Sequence, residues 1–432
     1  MRTRAVAPAS LLVLSLLAAA GCDGKGDAPE PRSIFVTEDP YARQVEGRVL
    51  RGTEIVPGAN VKLDPAGDFA AYDRLAAAGT AGYQTSTDLG GKYHISNGPF
   101  FYDLSIRKDR EVVVFRSLAV RYFEPPLGAD APLRGFTARI AASTDTPPSA
   151  GNAVAYFVSG PAARAVTVDG SSLVASFRSF DASITLQAVE YVASKGLGAA
   201  RRWGRTDLRV TDGGAAAAVI IMNPVDLAND SSDTIFETVV PPGFTLTTLD
   251  VVLDLGARTS AQLVAHVLPG VPWHVEAARA ARYFVRAIAT KDGAISDSGL
   301  QYFNPFAPKT TILLPRVVKE SSFDAAAGFS AAADNTFCEI TPSLAAKPAC
   351  ISVVEHVLVP HSPTGTALRI ATTDRATALP DVTALGVPRV SGRYTWTVQQ
   401  FPTLSRVDRL SGEDVRVVTP VSTTAPRVID LP

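Results

Sequence analysis

The sequence has few of the residues on which enzymes and nucleic-acid-binding proteins depend. It contains three cysteines, five histidines and three tryptophans in 432 residues. It has no Gly-x-Ser-x-Gly, His-Glu-x-x-His or Gly-x-x-x-x-Gly-Lys-Ser/Thr motif, so no hydrolase elbow, zinc helix or phosphate loop is indicated. Its 41 basic and 42 acidic residues give a net charge of −1, without the basic surplus of nucleic-acid binders. We therefore expect no nucleic-acid partner, no cofactor, no metal and no catalytic residue.

Long apolar runs are also absent beyond the N-terminus. There, Arg2 and Arg4 precede an apolar run over residues 5–20, which ends in small residues and Cys22. The run contains Pro8 and is shorter than the ~20 residues that a membrane-spanning helix needs. This layout predicts an export signal. An uncleaved anchor and a secretory signal cut at another small residue are the alternatives.

The end of this signal, Leu17-Ala18-Ala19-Ala20-Gly21-Cys22, resembles that of bacterial lipoproteins. The resemblance implies that residues 1–21 are a signal peptide and that Cys22 carries a lipid. We then expect a membrane anchor in the cell envelope, at the outer membrane or cell surface rather than the inner membrane. Residues 22–40 are polar and rich in Gly and Pro, which indicates a flexible tether.

The other two cysteines, Cys338 and Cys350, are close in sequence and flank a proline-containing segment. In an oxidising compartment such a pair is expected to form a disulfide bond. A shared metal site is the alternative, although no Cys-x-x-Cys spacing or nearby histidine supports it.

Glycine and proline, 32 and 31 residues, interrupt the chain at short intervals, and apolar residues between them often alternate with polar ones. This combination predicts short strands joined by turns. The length is too great for one hydrophobic core. We therefore predict an all-β, multidomain string of β-sandwiches that follows the signal peptide and tether.

The first unit is predicted over residues 41–125. Residues 45–49 and 59–63 alternate as strands around the turn Pro57-Gly58 and should form a hairpin, and residues 102–106 and 111–115 form a further strand pair. Residues 69–75 have the apolar spacing of a short helix. Four motifs carry a resemblance: Val45-x-Gly47-x-Val49, Pro57-Gly58-Ala59-x-Val61-x-Leu63, Thr87-Asp88-x-x-Gly91-x-Tyr93-x-Ile95 and Tyr102-x-Leu104.

These motifs resemble the carboxypeptidase regulatory-like domain. The resemblance covers about 80 of the 432 residues. It implies a transthyretin-like sandwich of about seven strands that acts as a non-catalytic accessory module.

Three later units are predicted over residues 130–228, 234–318 and 319–432, with immunoglobulin-like topology. Each shows a weakly recurring strand, turn and terminal apolar strand that ends in proline. Residues 144–149 read as a loop inside the second unit, and residues 226–233 as a linker. Residues 275–282 have helix-favouring composition, but Pro272 before them and strand-like residues after them favour a loop or a single turn.

Two groups of side chains are candidates for binding. Asp226, Asn229, Asp230 and Asp233 could supply oxygen ligands to calcium, but they lack the spacing of a calcium loop and a solvated linker is the alternative. Trp203 with Arg201, Arg202 and Arg205 is the possible ligand-binding cluster, with a core role for all three tryptophans as the alternative. His356 and His361 are interpreted as ordinary surface residues at a strand end.

We therefore expect a non-catalytic, envelope-anchored lipoprotein whose sandwiches act as a binding or scaffold surface. Its partners would be a membrane, through the lipid, and an unidentified envelope protein or glycan. The alternative is a carbohydrate-binding protein that uses exposed aromatic rings, for which a coplanar pair of rings on one sheet would be the sign. An enzyme is the third hypothesis, without a nucleophile, metal or acid/base set to support it.

Overall fold

The computed structural model describes residues 43–51, 54–66, 83–127, 135–159, 163–169, 172–178, 183–209, 211, 213–225, 227–254, 262–278, 282–334, 336–337, 351–411 and 419–432. The predicted signal peptide, tether, short helix at 69–75 and Cys338–Cys350 pair lie outside these residues. Regular structure in the described part is almost entirely β-strand, as the sequence predicts. No helix there is both long and apolar enough to cross a membrane.

The described residues of the N-terminal sandwich form ten strands. They are β1 (Arg43–Arg48), β2 (Leu50–Arg51), β3 (Glu54–Ile55), β4 (Asn60–Pro65), β5 (Gln84–Ser86), β6 (Lys92–Gly98), β7 (Tyr102–Lys108), β8 (Glu111–Leu118), β9 (Tyr122–Phe123) and β10 (Pro126–Leu127). Strands β6-β1-β9 and β10-β2-β3 form one side of the sandwich, and β5-β4-β7-β8 the other. Gly47 in β1 is required because a Cβ atom there would lie 1.7 Å from the carbonyl oxygen of Phe123.

In the second sandwich, eight strands lie within the part of the chain that the structure describes. They are β11 (Gly135–Thr144), β12 (Asn152–Ser159), β13 (Ala163–Asp169), β14 (Ser172–Arg178), β15 (Ser183–Val192), β16 (Ala200–Arg209), β17 (Ala215–Ile220) and β18 (Asn223–Pro224). Its two sheets have the orders β13-β14-β11-β17 and β12-β15-β16-β18. Ile140 and Ile220 of the first sheet meet Leu186 and Ala188 of the second in a small core.

The third sandwich also has eight strands among its described residues. They are β19 (Leu227–Val239), β20 (Thr245–Asp254), β21 (Gln262–His266), β22 (Pro272–Ala278), β23 (Arg282–Lys291), β24 (Ala294–Asp297), β25 (Gln301–Tyr302) and β26 (Lys309–Leu313). The sheet β22-β19-β26 packs on β20 and β23 through Phe236, Val275, Ile312, Val251 and Val285.

The C-terminal sandwich completes the fold. Its strands are β27 (Glu320–Asp324), β28 (Gly328–Ala332), β29 (Val353–Pro360), β30 (Ala367–Thr372), β31 (Ala376–Thr377), β32 (Gly392–Phe401), β33 (Val421–Thr423) and β34 (Arg427–Leu431). The sheet β27-β28-β31 covers β29, β30 and β32, and Phe329, Leu358, Ile370 and Trp396 fill the space between them.

One sheet continues through three of the four sandwiches. Its order is β21-β20-β23-β24-β33-β32-β29-β30-β8-β7-β4-β5, with β25 and β34 pairing beside β23 and β32. The third sandwich joins the C-terminal one where β24 pairs with β33. The C-terminal sandwich joins the N-terminal one where β30 pairs in parallel with β8. The sandwiches are therefore connected sideways by backbone hydrogen bonds as well as through the chain.

Three local predictions are wrong. The strands at 45–49 and 59–63 are not a hairpin, because β1 pairs with β6 and β9 while β4 pairs with β5 and β7 in the opposite sheet. Residues 226–233 are not a linker, because β19 starts at Leu227 and pairs with β22 and β26. Residues 275–278 are neither a helix nor a loop but part of β22, where Val275 is buried.

Candidate functional site

Strands β8 and β30 form the seam between the N-terminal and C-terminal sandwiches. Val113 and Phe115 of β8 point into the N-terminal core, whereas Val112 and Val114 point into the C-terminal core. On β30, Ile370 enters the C-terminal core and Ala371 the N-terminal one. Each strand is therefore buried on both faces, which is typical of strands inside parallel sheets.

The two sandwiches also share core residues beyond the paired strands. Val353, Phe401, Val407 and Leu410 belong to the C-terminal part of the chain but pack in the N-terminal core. The ring of Phe115 packs edge-on against Phe123 at 5.0 Å in the same core. The N-terminal core is thus completed by residues more than 200 positions away in sequence.

Buried ion pairs lie along this seam. Arg51 contacts Glu111 at 3.0 Å, and Arg369 contacts Glu355 at 2.8 Å, and all four side chains are less than one-tenth exposed. A charge removed from water is tolerated only when it is paired, so each of these groups fixes the position of its partner. Each pair lies within one sandwich, so the first fixes β8 against β2 and the second fixes β30 against β29.

Arginines of the N-terminal sandwich also donate to carbonyl oxygens of the C-terminal one. Arg107 donates to Leu385 O at 2.7 Å, Arg116 donates to Ala378 O at 3.2 Å, and Arg110 donates to Pro363 O. Charged donors give stronger hydrogen bonds than neutral ones. The seam is held by polar contacts on its rim as well as by the shared core.

A second seam lies between the second and third sandwiches. Val189 and Ala200 of the second sandwich belong to the core of the third sandwich. Trp203 of the second sandwich and Trp273 of the third also pack against this core. Gly198 is required at this seam because a Cβ atom there would lie 2.2 Å from the carbonyl oxygen of His274.

Glu276 is the main polar group of the second seam. It accepts from Arg201 at 2.5 Å and from Lys195 at 2.6 Å, both on the second sandwich. These two charged donors, Arg201 first, lower the pKa of Glu276 to about 2. His274 lies beside it, 2.8 Å from Asp233. The carboxylate of Glu276 therefore stays ionised at neutral pH and links the two sandwiches.

Replacing Glu276 with glutamine should weaken this link, because the neutral amide loses both charge-assisted contacts. We expect a loss of about 1–2 kcal/mol in the free energy of unfolding and faster hydrogen exchange in β16 and β22. Glu237→Gln is the matched control, since its pair with Lys309 is half exposed on both sides and should change stability by less than about 0.5 kcal/mol. Equal effects of the two variants in urea unfolding would contradict the role of Glu276.

The residues of the predicted ligand-binding cluster contact different parts of the protein. Arg201 is held by Glu276, and Arg202 contacts Glu190, Thr146 and Pro147. Trp203 is half buried against the third core, and Arg205 lies exposed on β16. Trp396 is buried in the C-terminal core. The structure thus places Arg201 and Trp203 at the second seam, whereas Arg202 is held within the second sandwich.

Glu190 is the buried partner of Arg202. Burial opposes the charge of this carboxylate, but donation from Asn152, the Ser149 backbone and Arg202 outweighs it and lowers the pKa of Glu190. The group therefore fastens the loop between β11 and β12 to β15.

Exposed rings occur on the outer face of the third sandwich. Tyr302 is 68% exposed and lies 6.2 Å from Phe284, with the two rings at 80°. The guanidinium of Arg282 lies 5.9 Å from the centre of the Phe284 ring. Perpendicular rings do not give the coplanar pair that stacking on a sugar would use.

His356 is the residue that the sequence interpretation placed wrongly. It is not on the surface but 1% exposed, between Phe329 at 5.3 Å and Trp396 at 5.9 Å. Neither ring nitrogen has a hydrogen-bond partner in the described part of the chain. Burial lowers the pKa of His356 to about 4, against a small opposing effect of Glu355. His361, in contrast, is exposed and contacts Thr395.

Among the calcium candidates, Asp233 is the residue whose side chain the structure describes. Asp233 contacts His274, and no group of three or more His, Cys, Asp or Glu side chains in the described ranges is arranged to hold a metal ion. Asp226 lies outside these ranges, as do Cys22, Cys338 and Cys350.

Comparisons with known proteins give low similarity throughout. No family model matches the sequence, and no curated protein matches it. Solved structures that align with the chain include the Bacillus anthracis TIE protein, at 11% identity over 63% of this chain and 50% of that one, with a TM-score of 0.17. The chain spans about half the length of that protein.

Two further structures are surface proteins by name. A streptococcal ancillary pilin aligns at 10% identity over 63% of this chain and 99% of that one, with a TM-score of 0.16. Two B repeat units of the collagen-binding protein of Staphylococcus aureus align at 10% identity over 85% of this chain and 94% of that one, with a TM-score of 0.14. Likeness at this level carries no functional argument.

Proposed function

We propose that the protein is a non-catalytic scaffold of the cell envelope, held at a membrane by a lipid on Cys22. The observation that carries the scaffold role is the parallel pairing of β30 with β8. It places β4, β5, β7 and β8 of the N-terminal sandwich in the same sheet as strands of the C-terminal sandwich. Such a sheet holds its sandwiches in fixed relative positions, whereas flexibly linked modules would move independently.

The use of the buried charges supports a non-catalytic role. Glu111, Glu355, Glu190 and Glu276 each contact an arginine within or between sandwiches. General acids at neutral pH need a raised pKa, but the pKa values of Glu190 and Glu276 are lowered. These carboxylates therefore act as structural anions that position neighbouring strands.

The anchor is tested by metabolic labelling with palmitate in the native host. The full chain should incorporate label and fractionate with membranes, whereas Cys22→Ser should remain unlabelled and leave the membrane fraction. Cys338→Ser is the matched control and should retain the label. An unlabelled native chain, or a product found in the cytosol, would overturn the envelope assignment.

A further inference from the structure

Edge strands expose unpaired backbone groups, and several of the described edges carry a feature that discourages another strand from pairing there. Charged residues or prolines interrupt such additions in folded proteins. Among the described edge strands, these residues are Lys92 in β6, Pro272 in β22, Lys309 in β26, Glu320 in β27 and Arg427 in β34.

Strand β17 has no such feature. Among the strands that the structure describes, it pairs only with β11, in a continuous register, and it contains four alanines followed by Val219 and Ile220. Ala215, Ala217 and Val219 are exposed, and Val219 is 61% exposed. The alternate residues face inward, and Ile220 is fully buried. The strand therefore presents apolar side chains to solvent beside an open edge.

The direction of the backbone groups is fixed by two hydrogen bonds to β11. Arg139 N donates to Gly214 O, and Asp145 N donates to Ile220 O. Even-numbered residues of β17 therefore direct their backbone groups to β11, and Ala215, Ala217 and Val219 direct theirs outward. No strand in the described ranges pairs with that outward side. Strand β12 is also an uncharged edge, but its side chains at 152–156 are half buried.

We propose that β17 is a self-association edge, pairing antiparallel with β17 of a second copy about a two-fold axis through Ala217. The strand begins with small residues and ends with larger ones. Because the two-fold axis passes through Ala217, antiparallel pairing places the small Ala215 of one copy opposite the larger Val219 of the other. The strand has no charge, so two identical copies meet without like-charge repulsion. A two-fold pair is closed and consumes both open edges.

This arrangement is tested by oxidative cross-linking of the full chain in detergent. In a hydrogen-bonded antiparallel pair, the two Ala217 Cα atoms would be about 5.5 Å apart, within the range for a disulfide. The two Ala215 Cα atoms would be about 14 Å apart, which is too far. Ala217→Cys should therefore form a covalent dimer, and Ala215→Cys alone should not.

A mixture supplies the complementary test. Ala215→Cys and Val219→Cys chains, oxidised together, should form a mixed dimer because those positions face each other. The native chain, oxidised in parallel, gives the background from its own three cysteines. Equal cross-linking at 215 and 217 would overturn the proposed register.

The strength of association is tested by sedimentation equilibrium over a range of protein concentrations. Val219→Lys should weaken dimerisation at least about tenfold, since it places a charge on the edge. Val428→Lys is the matched control, because Val428 is 51% exposed on β34, an edge that already carries Arg427. A native chain that stays monomeric up to about 100 μM, or a Val219→Lys chain that dimerises as well as the native one, would overturn the proposal.

Discussion

Replacing Val113 with aspartate should destabilise the N-terminal and C-terminal sandwiches together. Val113 is fully buried in the N-terminal core, on the strand whose neighbouring residues enter the C-terminal core. An unpaired carboxylate there is expected to cost more than about 4 kcal/mol. Because β8 is shared, β29, β30 and β32 should lose protection along with β4 and β7. Hydrogen exchange resolved by peptide measures both groups of strands in one experiment.

The matched control is Val428→Asp, which places the same charge at a half-exposed valine. It should change stability by less than about 0.5 kcal/mol. If Val113→Asp does not accumulate, the milder Val113→Ala and Val114→Ala test the same point, each with a loss of roughly 1–3 kcal/mol. Loss of protection in β4 and β7 with unchanged protection in β29 and β32 would contradict a shared core.

Strand positions could be predicted from the sequence wherever one face is buried. In β4, Val61 and Leu63 are buried, and Lys62 between them is more exposed. In β23, Tyr283, Val285 and Ala287 alternate in the same way. A period of two residues follows from the geometry of any half-buried strand, so it is readable without knowing the partner.

The partner of each strand could not be read in this way. Alternation in β1 and β4 is compatible with a hairpin, but the two strands belong to opposite sheets. The parallel pairing of β8 with β30 joins residues about 250 positions apart, and no local turn encodes such a pair. The uninterrupted apolar run from Val112 to Phe115 does signal burial on both faces, without naming what covers them.

Composition misled the interpretation at two strands of the third sandwich. β22 contains Glu276 and two alanines, which favour helix, but pairing with β19 and burial of Val275 outweigh that preference. β19 begins with the polar residues of the predicted linker, yet Thr234 and Phe236 further along are fully buried. Intrinsic preferences of less than about 1 kcal/mol per residue are overcome by such packing.

The candidate site was harder to predict than the strands. The sequence indicates Trp203 and its arginines as a possible ligand-binding cluster, but it does not show that Glu276 faces Arg201 across a seam. His356 could have been placed from its spacing, because Val354 and Leu358 occupy the same face of β29 and both are buried. A histidine within an alternating apolar strand is thus expected in the core, whatever its polarity.

The buried position of His356 predicts an acid-dependent loss of stability. The pKa of His356 is about 4 in the folded chain and 6.5 in the unfolded chain. At pH values between these two, the unfolded chain therefore binds the proton more tightly. The contribution of this group to the free energy of unfolding is fully present above pH 6.5. It decreases by about 3 kcal/mol as the pH falls from 6.5 to about 4. His356→Leu removes the titrating ring, so the variant should gain about 3 kcal/mol over the native chain between pH 7 and pH 4.

At pH 7 the same substitution should have a small effect, because it removes two nitrogen atoms that lack partners among the described residues as well as the ring contacts with Phe329 and Trp396. Urea unfolding at intervals from pH 7 to pH 4 measures the difference, and carboxylates common to both chains cancel. His361→Leu, at an exposed histidine, should follow the native profile. Parallel profiles for the native chain and His356→Leu would mean that the ring of His356 can take up a proton in the folded state, which its enclosure between two aromatic rings argues against.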